Sequence, residues 1–220
     1  MGIIGPLSQR VVATGRILGV DRDPLQLSGA RQSVVEQALW NVEIVEDDAY
    51  ASALPGASFD FVHARFLLAP VGHDDGLLRE MWRLAKPGGI MALQEPDASA
   101  WNFYPSDPEW QRLKACILAA FRSGGGDFNA GQRTFGLLRS LGLEQVSMRA
   151  AVLGLCDCHP YMRLPVQFAA SLRPRLLGEG LIGEAELDAA IAACERISSD
   201  PERTCLTFIV TQVCGRKALA

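Results

Sequence analysis

The sequence predicts an α/β fold: a doubly wound, mostly parallel sheet finished by an antiparallel C-terminal strand. Three observations predict it. Short apolar runs alternate with helix-like segments between residues 16 and 97, and that spacing implies right-handed crossovers between parallel strands. The runs end in acids: Asp21, then Asp47 and Asp48, then Glu95 and Asp97. Finally, Lys86-Pro87-Gly88-Gly89 stops one helix-like segment with a cation, a proline and two glycines.

The elements follow in order. Residues 16–21 read as a short strand, and residues 24–39 as a helix with Pro24 in its first turn and an apolar stripe from Leu25 to Leu39. Residues 42–45 alternate like a strand, and Pro55-Gly56 marks a turn. Residues 59–62 form the next strand, 74–85 a helix with Leu77, Leu78, Met81, Trp82 and Ala85 on one side, and 90–94 a buried strand. Beyond residue 97 the character changes. Helices are expected at 109–121, 133–141, 160–177 and 184–197, with a flexible glycine break at 123–127. Strands are expected at 146–155 and 205–214, the latter rich in β-branched residues. The expectation is a single domain over 1–220, with a core at 1–99, a helical segment at 100–200 and a final strand at 201–220.

Composition narrows the function classes. The chain has 220 residues, 49% of them hydrophobic, enough to bury one well-formed core. Its net charge of −4 disfavours nucleic acid as a partner, since such binders need a basic face. No apolar stretch reaches the length of a membrane span and no secretory leader is visible, so a cytoplasmic location is expected. Six cysteines, at 116, 156, 158, 194, 205 and 214, read as free buried thiols rather than a disulfide framework. Cys156-Asp157-Cys158-His159 is their one cluster. It lacks the second ligand pair of a zinc site and reads as structural or pocket-wall cysteine, so no metal is expected.

Ligands of open α/β sheets bind at the carboxyl ends of the strands, where the acids lie. Asp21 is placed to accept hydrogen bonds from both hydroxyls of a ribose, and Asp48 from an exocyclic adenine amine. Each acid is equally suited to cap the segment that follows it.

Gly19-Val20-Asp21, Glu46-Asp47-Asp48-Ala49 before Leu54-Pro55, Phe59-Asp60-Phe61-Val62 and Leu84-Ala85-Lys86-Pro87-Gly88-Gly89 together resemble the class I S-adenosylmethionine-dependent methyltransferases. The likeness is to the small-molecule branch typified by ubiquinone and menaquinone biosynthesis, and it covers residues 1–97 best. It implies a Rossmann-like fold, S-adenosylmethionine as cofactor and a small-molecule acceptor. It further implies that Asp21 holds the ribose, Arg22 flanks the adenine, and Asp48 with the Ala49 amide reads the adenine edge. Ala64, Arg65 and Phe66 would line the methionine and sulfonium end, and the helical segment 100–200 would be a substrate lid. Gly2 and Gly5, in Met1-Gly2-Ile3-Ile4-Gly5-Pro6-Leu7, match the last part of the family's glycine loop. The strand and acid that precede that loop in the family have no counterpart here. Three explanations stand open: residues upstream of Met1, a partner chain or another segment in the gap, or a sheet closed differently without a cofactor site.

Methyl transfer is an in-line displacement in which the protein supplies positioning, desolvation and, for some acceptors, a base. Candidate bases are His63, Glu95, Asp97 and His159; His63, at a strand's carboxyl end, also reads as a histidine packed under the loop, and His159, before Pro160, also reads as solvent-facing. Glu95 and Asp97 would orient a polar acceptor or cap the next helix. Trp101 and Tyr104, with Phe103 and Trp110, would wall an apolar acceptor or staple the helical segment to the core. Arg173 and Arg175 read as a solvated helix face. The alternative function is a non-catalytic, methyltransferase-like interaction or dimerisation protein, with a second copy of the chain as its partner. A nicotinamide-dependent enzyme is disfavoured by the absence of a full G-x-G-x-x-G.

Overall fold

A computed structural model describes residues 3–11 and 14–219. The chain divides into two compact units, one of residues 1–58 and 75–84, the other of residues 59–74 and 85–220.

The first unit holds α1 (Ile4–Arg10), β1 (Ile17–Asp21), α2 (Pro24–Glu36), β2 (Val42–Glu46) and most of α4 (Asp74–Leu84). Strands β1 and β2 pair in parallel, Asp21 opposite Glu46, and Asp47 N–H extends the ladder to Asp21 O at 3.0 Å. Helix α2 starts where Asp23 accepts the N–H groups of Leu25 and Gln26 and Pro24 presets the first turn. It ends three residues before the expected Leu39, because Ala38 takes a left-handed φ of +50°. Only Leu27 of this helix is buried; of the rest of the expected stripe, Ala30, Val34 and Leu39 are half-buried and Leu25 is exposed. In contrast, α4 buries Leu77, Leu78, Met81 and Leu84 at the i, i+3, i+4 spacing that the sequence displays.

The second unit is built on a four-stranded sheet in the order β3–β4–β9–β6, comprising β3 (Phe59–Arg65), β4 (Ala85–Asp97), β6 (Glu144–Ala151) and β9 (Ile209–Arg216). Strands β3 and β4 are parallel, while β9 runs antiparallel between β4 and β6. The α/β, Rossmann-like class with an antiparallel C-terminal strand is therefore observed, in a mixed sheet. Strand β4 starts earlier than expected. Lys86-Pro87-Gly88-Gly89 does stop α4, but is itself held at the sheet's amino end by Gly88 N–H to Lys217 O at 3.0 Å and Lys217 N–H to Gly89 O at 2.9 Å. Short helix α3 (Leu68–Val71) follows β3.

Three short strands, β5 (Asn102–Tyr104), β7 (Gly154–Leu155) and β8 (Thr204–Leu206), form a separate sheet in the order β5–β8–β7. The single strand expected at 205–214 is thus two. Thr207 breaks it by turning to Leu153, whose N–H donates to Thr207 Oγ1 at 3.0 Å. Helices α5 (Pro108–Ser123), α6 (Thr134–Ser140), α7 (Leu164–Gly178) and α8 (Glu184–Ser198) complete the unit. Helices α5, α7 and α8 enclose an apolar core that includes Trp101, Phe103, Trp110, Leu113, Met162 and Leu187. The expected flexible break at 123–127 is instead packed on α3. A Cβ at Gly126 would meet the Pro70 carbonyl at 2.9 Å, and Asp127 N–H donates to Ala69 O at 2.8 Å. Arg173, on the expected solvated face, forms surface ion pairs with the exposed Asp188 at 2.7 Å and Glu184 at 3.0 Å on α8.

Among the described residues, no helix is long and apolar enough to cross a membrane.

Candidate active site

In the first unit the predicted acids converge. Asp21 ends β1, and Asp47 and Asp48 follow β2, so parallel pairing puts all three at one carboxyl rim. Asp21 is exposed and its carboxylate accepts one hydrogen bond among the described residues, from Asp23 N–H at 2.9 Å, which leaves most of the carboxylate's acceptor capacity open. The helix cap that Asp21 was equally suited to supply comes from Asp23. Asp48 folds its carboxylate onto Tyr50 N–H at 2.8 Å and faces Arg22 across 3.8 Å. The Ala49 N–H has no acceptor among the described residues. One open carboxylate, a second held by an arginine, and a free amide next to it form a donor and acceptor set that fits the ribose and adenine of an adenosine. Gly5 is buried in α1, where a Cβ would meet Gln37 Oε1 at 2.8 Å. Gly2 lies outside the described residues.

In the second unit, His63, Ala64, Arg65 and Phe66 occupy the carboxyl end of β3. Ala64 is buried, Arg65 is exposed, and the Arg65 guanidinium lies 4.7 Å over the Phe66 ring. Phe66 has a left-handed φ of +52°, an uncommon state for a bulky residue, held by its N–H to Gln94 O at 2.8 Å and by edge contact with Phe208. His63 is half-buried, stacks on Phe61, and its Nε2 is buried without a hydrogen-bond partner. Burial, aided by the Arg65 charge, lowers its pKa below the ordinary histidine value, against a hydrogen bond that the ring donates to Gln94. The sequence offered Gln94 only as part of a strand.

Two expectations at this end are corrected. Glu95 does not face an acceptor: it is fully buried and receives the N–H groups of Leu67, Leu68 and Ala69 at 2.9, 3.0 and 3.0 Å, capping α3. Burial pushes its carboxyl up, opposed by those three donors and the Arg133 charge. Its cap lies behind it in sequence, not on the next helix. Trp101 is no pocket wall either. It is 1% exposed and its ring is packed by Trp110, Phe128, Phe168 and Phe208. Asp97 is buried, receiving Ser99 N–H at 2.8 Å and Gln132 Nε2 at 3.0 Å. Tyr104, at the end of β5, is 47% exposed. His159 is exposed at the start of a short 3-10 turn, its Nδ1 receiving Tyr161 N–H at 3.2 Å. An open hollow lined by Asp60, Gly88, Ile90, Arg216 and Leu219 lies at the opposite, amino end of β3 and β4, away from these residues.

Comparison with known proteins shows what the segment holding this rim is similar to. A methyltransferase-domain family model matches residues 3–93. The demethylmenaquinone methyltransferase of Listeria monocytogenes is 33% identical over 99 residues, covering 44% of this chain and 42% of the relative. That of Geobacillus stearothermophilus is 34% identical over 89 residues, covering 40% and 38%. The chain therefore spans less than half the length of the curated relatives it matches. Among solved structures, the Bacillus subtilis protein YcgJ superposes with a TM-score of 0.57 at 15% identity, covering 99% of this chain and 98% of that one. The [4+2]-cyclase SpnF superposes with a TM-score of 0.55 at 18% identity, covering 98% and 70%. Both likenesses are of fold alone. The matching segment runs through the acid-ended strands to β4, and over it the chain is similar to methyltransferase domains.

Proposed function

We propose that this protein transfers the methyl group of S-adenosylmethionine to a small-molecule acceptor. The observation that carries the reading is the carboxylate rim of the first unit. Asp21 ends β1 and Asp48 lies two residues past the end of β2, its parallel partner, within the segment that matches the methyltransferase domain. Asp21 would take the ribose hydroxyls, Asp48 and the Ala49 N–H the adenine edge, and Arg22 would flank the ring. When bound, the cofactor supplies an electrophilic methyl on a sulfonium. The places of Ala64, Arg65 and Phe66 at the methionine end rest on the family resemblance.

The protein's own part is then to orient and, where the acceptor must lose a proton, to receive it. His63 suits that second role, because burial keeps its imidazole neutral and its Nε2 has a lone pair or proton not committed elsewhere. A small-molecule acceptor is supported by the matched relatives, which are named demethylmenaquinone methyltransferases. Fold likeness cannot carry the reaction type, since one structural neighbour is a cyclase.

Titration with S-adenosylmethionine, followed by calorimetry and thermal shift, tests the reading. Saturable binding is expected, and Asp21→Ala should weaken it by about 1–3 kcal/mol, the scale for charge-assisted hydrogen bonds. No heat and no thermal shift at millimolar cofactor would reject the enzyme and leave a non-catalytic interaction or dimerisation protein.

A further inference from the structure

The sequence groups Cys156 and Cys158 with the buried thiols, but the structure exposes both. The other four differ. Cys194 and Cys205 are buried, which pushes their thiols up to about 12. Cys116 is half-buried and bonded to Leu181 O, and Cys214 is half-buried against the Ser147 hydroxyl. Solvent oxidants therefore meet two thiols first, and these are two residues apart.

The backbone between them is a tight turn. His159 N–H donates to Cys156 O at 3.0 Å, and the two central residues, Asp157 and Cys158, have φ of +52° and +54°. That is a tight turn of the type I′ class, whose central positions normally hold glycine, asparagine or aspartate. Cys158 is thus a strained occupant, retained where a residue without Cβ would fit more easily. Successive left-handed residues have the mirror-image spacing of a helix, which places the Cα atoms of positions 156 and 158 about 5.4 Å apart. A disulfide needs roughly 4.4–6.8 Å. Side chains two apart on such a coil point to opposite sides, so closure requires this exposed turn to rotate one Cβ toward the other.

We propose that Cys156 and Cys158 form a reversible dithiol–disulfide pair, oxidised by a low-molecular-weight disulfide such as glutathione disulfide. The chemistry closes in two steps. The Cys158 thiolate attacks one sulfur of glutathione disulfide, forming a mixed disulfide and expelling one glutathione thiolate. Cys156 then loses its proton and attacks the Cys158 sulfur, forming the ring and expelling the second glutathione. The protein gives up two electrons and two protons, and glutathione disulfide gains both. The order follows from the turn: the Cys156 thiol donates to the Asp157 carboxylate at 3.1 Å, which pushes it toward the protonated form. The Cys158 sulfur has no hydrogen bond among the described residues.

The turn leads directly into the short 3-10 segment Pro160–Arg163, whose Met162 is buried in the apolar core of the helical region. Closing the ring would fix the loop that carries this anchor.

The test is intact-mass spectrometry of the full chain after equilibration in glutathione redox buffers, with peptide mapping under non-reducing conditions. The expected result is loss of two hydrogen masses, mapped to a link between Cys156 and Cys158 and reversed by dithiothreitol. Cys156→Ser should instead stop at one glutathione on Cys158. Three outcomes overturn the proposal: an unchanged mass, glutathione adducts on the wild-type chain without ring closure, or a link from either cysteine to another position. Because both side chains are exposed, the wild-type measurement decides the matter without depending on a variant's folding.

Discussion

His63 and Glu95 are both half or fully buried ionisable groups in the second unit, and they illustrate opposite solutions. Glu95 satisfies its burial with three backbone donors, which makes it part of the frame of α3. Removing that acceptor strands several N–H groups, each costing about 1–3 kcal/mol when buried. Glu95→Ala should therefore lower the unfolding free energy by on the order of 3 kcal/mol in urea melts, and an unchanged midpoint would contradict the cap. His63 leaves Nε2 without a partner, so its burial is uncompensated on that side. Its folded pKa lies below the unfolded value of 6.5, so the folded state resists protonation. The sign follows: the unfolded chain takes up the proton first, and stability falls as pH drops below 6.5 through the folded pKa. Proton NMR should show the His63 ring titrating below 6.5, and His63→Gln should flatten stability across that interval.

Among the elements, the loop after β2 is held by a clamp on α4. Arg83 donates to Glu80 at 2.8 and 2.6 Å, and Ser52 N–H donates to the same carboxylate at 3.1 Å. The Arg83 guanidinium and Ser52 together pull the Glu80 carboxyl down to about 2. A depressed acid stabilises the fold above its unfolded pKa, and that stabilisation is lost as pH falls from 4.5 towards 2. Arg83 is partly exposed and screened, so Glu80→Gln should cost about 1–2 kcal/mol at neutral pH and less in acid. Equal losses at both pH values would show that the charge is not the cause. At this scale the sequence was legible where the signal was local. Asp21 and Asp48 close short apolar runs, and the amphipathic spacing over 109–121 makes α5 visible. Contacts distant in sequence were not legible. Glu95 caps a helix 26 to 28 residues earlier, and nothing in Glu95-Pro96-Asp97 points backwards. The break at Thr207 was hidden for the same reason: its β-branched neighbours favour a continuous strand, and Leu153, 54 residues away, interrupts it. The exposure of Cys156 and Cys158 was missed because an apolar-looking context conceals a type I′ turn.

For the whole molecule, the proposed division of labour puts adenosine recognition in the segment that matches the family and acceptor recognition beyond it. The family match stops at residue 93, and the larger part of the chain beyond it holds the helical region with its own apolar core. Four residues were expected to meet the acceptor, and their burial separates them. Glu95, Asp97 and Trp101 are 0%, 9% and 1% exposed and committed to caps or ring packing, whereas Tyr104 is 47% exposed. A side chain can select a substrate only if it is reachable, so Tyr104 is the one of the four suited to acceptor contact. If it serves that role, Tyr104→Ala should raise KM for the acceptor several-fold, with the calorimetric Kd for S-adenosylmethionine unchanged, because Tyr104 lies outside the matched segment. Trp101→Ala should behave differently. It removes a large buried ring at a cost of about 3–5 kcal/mol, so its effect would appear first as a lowered melting temperature. A Tyr104→Ala variant that melts early like Trp101→Ala, or that weakens cofactor and acceptor alike, would assign Tyr104 to the frame and leave acceptor choice to residues that the sequence did not single out.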